Sequence, residues 1–69
     1  MNKFENLSSN ELKAKLEETK DLLEEVIEER TIILGQENLH LSSRVVEKYA
    51  NEIAGIESDI ASLEQLLAV

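Results

Sequence analysis

The sequence predicts an all-α protein: an antiparallel two-helix hairpin with a coiled-coil-like seam, dimerising into a four-helix bundle. Three observations lead there. A capping box at Ser8-Ser9-Asn10-Glu11 marks where a helix starts. Gly35 marks where it stops. On both sides of residues 35–42, apolar residues recur at alternating spacings of three and four, the heptad signature.

Residues 1–8 carry no periodic signal and read as a flexible tail, from which Phe4 can fold back onto a neighbour. Ser8 can accept from the backbone N–H of Glu11 while the Glu11 carboxylate reaches back to the N–H of Ser8. Leu7 and Leu12 bracket that cap as a hydrophobic staple. The first helix therefore spans 9–34. Gly35 is expected in the left-handed conformation that ends helices. Residues 35–42 form a connector without period. Ser42 or Ser43 then caps a second helix over 43–69, with Leu41 and Val46 as its staple. Gly55 is its one internal breaker. It reads as a tolerated weak spot or as a site of close approach by another backbone.

The first seam is Leu12, Leu16, Thr19, Leu23, Val26, Arg30 and Ile33. The second is Val46, Tyr49, Ile53, Ile56, Ile60, Leu63 and Leu67. A short connector makes neighbouring helices antiparallel. Leu12 then faces Leu67, Leu23 faces Ile56, Arg30 faces Tyr49 and Ile33 faces Val46. Lys13 is expected beside Glu64 and Lys20 beside Glu57. Such exposed pairs favour a register more than they stabilise it, at about 0–1 kcal/mol each.

More apolar residues stand beside the seam than one hairpin uses. Leu22, Ile27, Leu34, Val45 and Leu66 are assigned to a homodimer interface on that ground, with Ala50, Ala54, Ala61 and Ala68 widening the second helix's smooth face. Chain size points the same way. At 69 residues the chain holds one domain, and a core that small supplies only about 3–5 kcal/mol.

Composition removes several functions. There is no Cys, hence no disulfide and no Cys-ligated zinc. Acidic residues outnumber basic ones 15 to 7, a net charge of −8, which argues against binding nucleic acid through phosphates. Apolar runs such as Ile32–Leu34 are far short of the roughly 20 residues that cross a membrane. The N-terminus lacks a signal-peptide pattern, so a soluble cytoplasmic protein is expected.

The polar candidates have mostly structural roles. Arg30 is expected to stack on Tyr49, its head reaching toward Glu29 or Glu52. Thr19 is expected to bond back to a carbonyl of the preceding turn. Asp21, Glu24, Glu25, Glu28 and Glu29 point away from the seam and read as a solvated face rather than a metal site. His40 stands alone in the connector. No enzyme signature is present and no cofactor is expected.

One segment resembles a known family. A hairpin of this size, with a glycine-bearing connector and Ser43-Arg44-Val45-Val46-Glu47 opening its second helix, is similar to the small aspartyl-phosphate phosphatases that restrain sporulation in bacilli. Their second helix opens with Ser-Gln-Glu-Leu-Asp. Ser43 is identical, Val46 stands for Leu and Glu47 for Asp, and Val45 replaces a polar position. The resemblance implies action on a response regulator's phosphoryl group, with Ser43 and Glu47 as the site residues.

The chain is accordingly read as a small acidic interaction module, homodimeric, that regulates or adapts one protein partner. A phosphatase-like regulator of response-regulator phosphorylation is the alternative. An acidic DNA mimic that occupies a nucleic-acid-binding protein is the second alternative.

Overall fold

The computed structural model describes residues 2–35 and 43–68. The connector expectations for residues 36–42, His40 and the Ser42 cap among them, lie outside the described residues. Two helices, α1 (Ser9–Leu34) and α2 (Ser43–Leu67), pack along one another, and the described residues contain no strand. The pairing is antiparallel: Leu12 near the start of α1 packs on Leu63 near the end of α2. Tyr49 near the start of α2 reaches Glu29 near the end of α1. The molecule measures 48 × 20 × 14 Å. A helix with its side chains is about 10–12 Å across, so the hairpin is one layer thick.

The α1 start is built as its cap demands. Glu11 N–H donates to Ser8 Oγ at 3.2 Å, and Ser8 N–H donates to Glu11 Oε1 at 3.2 Å. Every seam position of α1 is buried or half-buried, and Lys15 is the other half-buried residue of that helix. Thr19 sits on the seam because its hydroxyl donates to the Lys15 carbonyl at 2.6 Å, and no buried side-chain polar atom is left unmatched among the described residues.

The core has two parts. Phe4, Leu12 and Leu63 form one, with Leu7, Leu16, Leu66 and Leu67 around them. Val26, Tyr49 and Ile56 form the other, ringed by Leu23, Ile33, Val45, Ile53 and Ile60.

Four expectations are corrected. Residues 2–8 do not trail into solvent; Phe4 is only 8% exposed and closes one end of the core. The Asn2 amide donates to the Ser62 carbonyl at 3.0 Å, and Lys3 pairs with Asp59 at 2.8 Å. Gly35 has a right-handed backbone, φ −84° and ψ −4°. Its N–H keeps the helical bond to the Thr31 carbonyl at 3.0 Å, so no left-handed turn is needed. A Cβ there would lie 2.9 Å from that same oxygen, which accounts for glycine by space rather than by φ. At the start of α2 the seam runs through Val45, not Val46, which is 47% exposed. Four residues back from Tyr49 lies about 40° off its direction and three back about 60°, so Val45 meets the core more directly. Finally, Tyr49 takes Glu29 as its partner: its hydroxyl donates to Glu29 Oε1 at 2.8 Å. Among the described residues the cation over an aromatic ring is Lys3 on Phe4, 5.1 Å from the centroid, and not Arg30 on Tyr49.

Candidate functional site

A one-layer hairpin has two broad faces, and here they differ in chemistry. The first carries Lys15, Glu18, Leu22 and Glu25 from α1, with Ile56 and Asp59 from α2, around an open groove. Asp21 and Glu28 stand on its rim. Leu22 is the exposed apolar residue there, set among carboxylates. The Lys3 ammonium meets Asp59 on this side, and Lys15 reaches Glu18 at 3.5 Å.

The opposite face is apolar near the connector. Leu34, Thr31 and Arg30 from α1 share a shallow groove with Val46 and Ala50 from α2. Ile27 lies two turns before Leu34 on the same side of α1 and is 36% exposed. Farther from the connector this face turns polar. Lys13, Leu16, Glu17 and Lys20 line a third shallow depression.

The five residues assigned to an interface are therefore not one strip. Ile27 and Leu34 share the second face, whereas Leu22 lies on the first. Val45 and Leu66 are half-buried within the hairpin, Val45 against the Val26–Tyr49–Ile56 cluster and Leu66 against the Phe4–Leu12–Leu63 cluster. Val46, placed on the seam by its heptad position, joins Leu34 on the surface instead. Its exposure was not legible because Val45 and Val46 are both apolar and the period admits either.

Ser43 and Glu47 are both exposed on α2 and lie one turn apart at its start. Neither takes part in a side-chain hydrogen bond among the described residues. No group of carboxylates or imidazoles there is arranged to hold a metal ion. The Lys13–Glu64 and Lys20–Glu57 pairs expected across the seam do not close within the hairpin: among the described residues the ion pairs are Lys3–Asp59 and Lys15–Glu18.

Tyr49 titrates above the ordinary phenol range. Its hydrogen bond to Glu29 raises the phenol above its ordinary value of 10.0. Loss of hydration and the charges of Glu29 and Glu52 push the same way. The effect keeps Tyr49 neutral and donating, which pins the connector end of the hairpin; it prepares no chemistry.

Comparison with protein-family models, with curated proteins and with solved structures finds no match to this chain. No helix among the described residues is long and apolar enough to cross a membrane.

Proposed function

We propose that this chain is a non-catalytic protein–protein interaction module that acts as a homodimer and regulates or adapts one protein partner. The observation that carries the proposal is the two-faced single layer. Folded domains bury an apolar face by packing two or more layers around a core. This hairpin leaves Ile27, Leu34 and Val46 uncovered on one side. On the other it presents a carboxylate-lined groove suited to a basic partner surface. Light scattering over a dilution series tests the homodimer, with Ile27→Glu as the perturbed chain. The expected outcome is a dimer that dissociates on dilution, and earlier in the variant. A wild-type monomer at every concentration would remove the homodimer from the proposal. Capture of one protein from a native extract, weakened by salt, tests the acidic face.

A second reading rests on Ser43 and Glu47, exposed together at the start of α2. There the chain would regulate phosphoryl signalling, as its resemblance to the aspartyl-phosphate phosphatases implies. Loss of phosphoryl group from a phosphorylated response regulator, abolished by Glu47→Ala, would support it over the first. Unchanged phosphorylation in the presence of the chain would dismiss it.

A further inference from the structure

The apolar face also specifies how two copies meet. Resting on the homodimer reading above, we infer that the second copy covers the Ile27–Leu34–Val46 face with a two-fold axis parallel to the helices, so that α1 of each chain lies antiparallel on α2 of the other. The need for cover is visible in area. The chain exposes 5408 Å², against about 4,400 Å² for a compact monomer of its mass. That excess belongs to the thin layer as a whole, so it calls for cover without choosing a side.

Charge selects the face and the axis. The opposite face carries six carboxylates, Glu18, Asp21, Glu24, Glu25, Glu28 and Asp59, against the Lys3 and Lys15 ammonium groups that pair with two of them, and this surplus would repel its own copy. On the chosen face, Lys13, Lys20, Ile27 and Leu34 follow one another at seven-residue intervals down α1. On α2 the matching stripe, read in the same direction in space, is Glu64, Glu57, Ala50 and then Ser43 beside Val46. All four charged residues are exposed, and none of them is paired within the hairpin among the described residues. With the axis along the helices, each lysine of one chain stands over a glutamate of the other, and Ile27 and Leu34 meet Ala50 and Val46. Turning the axis across the helices would stack α1 on α1. Lys13 would then face Leu34, and Lys20 would face Ile27, leaving charges on apolar surface. Only the first arrangement sets Lys13 and Lys20 against glutamates and Ile27 and Leu34 against Ala50 and Val46. It yields an up-down bundle in which all neighbouring helices are antiparallel.

Two charge-reversed chains test this by sedimentation equilibrium. One is Lys13→Glu with Lys20→Glu; the other is Glu57→Lys with Glu64→Lys. Each reversal moves the chain by two units from −8, so the first carries −12 and the second −4. Each alone is expected to dimerise at least about tenfold more weakly than wild type, because like charges now meet at each cross-chain pair. Their equimolar mixture restores opposite charges at every cross-chain pair, and its affinity should return to within about threefold of wild type. The −4 chain is the sharp control: it has less overall repulsion than wild type, yet should bind its own copy less well. If it dimerises as tightly as wild type, or if mixing recovers nothing, the arrangement is overturned while the homodimer reading stands. A wild-type monomer overturns both. As a second measurement, a Lys20→Cys chain mixed with a Glu57→Cys chain should yield a covalent heterodimer with a short thiol cross-linker, and its absence would count equally against the arrangement. The background is clean because the chain has no cysteine of its own.

Discussion

Removing the Phe4 ring should cost this protein a large part of its stability. Phe4 is 8% exposed and packs on Leu12 and on Leu63, the one fully buried side chain among the described residues, with Leu7, Leu16, Leu66 and Leu67 around them. Phe→Ala in a rigid core costs about 3–5 kcal/mol. Here the ring sits on a terminal segment that can relax into the space it vacates, so a loss of about 2–3 kcal/mol is expected. The other anchors are small. Lys3–Asp59 is an exposed pair worth about 0–1 kcal/mol, and Asn2 contributes one hydrogen bond to the Ser62 carbonyl. Against the roughly 3–5 kcal/mol that a core of this size supplies, the ring accounts for about half or more. The assay is urea unfolding followed by far-ultraviolet circular dichroism at fixed chain concentration, with a thermal melt beside it. The melt should fall by roughly 10–20 °C, at about 4–8 °C per kcal/mol for a domain of this length. Lys3→Ala, run in parallel, should change stability by less than about 1 kcal/mol. A Phe4→Ala loss below about 0.5 kcal/mol would show that residues 2–8 do not close the core.

Other outcomes follow from single residues. Tyr49 is the only tyrosine, so ultraviolet titration reads it alone; its midpoint should lie above 10.0, and a midpoint at or below that value would contradict the Glu29 contact. Because the folded phenol titrates above the unfolded one, its contribution to stability is present in full below pH 10 and is lost as pH rises through the folded midpoint; the part of any alkaline decline due to this group should vanish in Tyr49→Phe. Gly55→Ala should stabilise by up to about 1 kcal/mol, since a Cβ there meets nothing within 4 Å; destabilisation would reveal another backbone against that position. Thr19→Val should leave stability within about 1 kcal/mol of wild type, because the Thr19 hydroxyl bonds only a carbonyl of its own helix; a larger loss in urea unfolding would show that the hydroxyl supports the seam.

Sequence alone determined the features that repeat or act locally. The capping box involves residues three apart, and local chemistry forms it wherever a helix begins. The α1 seam was legible in full, Thr19 and Arg30 included, because a helical face recurs every three to four residues whatever it packs against. Tertiary structure alone decided the rest. Asn2 and Ser62 are sixty residues apart, and no period links Phe4 to Leu63. The choice between Val45 and Val46 depended on which side of α2, set by buried Tyr49 and Ile56, turns toward α1. Tyr49 chose Glu29 over Arg30 because a phenol aimed along the seam reaches a carboxylate on its edge. Most consequentially, the apolar residues beside the seam divided between two faces, Leu22 on one and Ile27 and Leu34 on the other. The heptad already separates the flanks, since Leu22 lies five residues and about 140° from Ile27; what those flanks meet, carboxylates and Asp59 on one side and Val46 and Ala50 on the other, is set only when two helices lie side by side and give the layer its two sides.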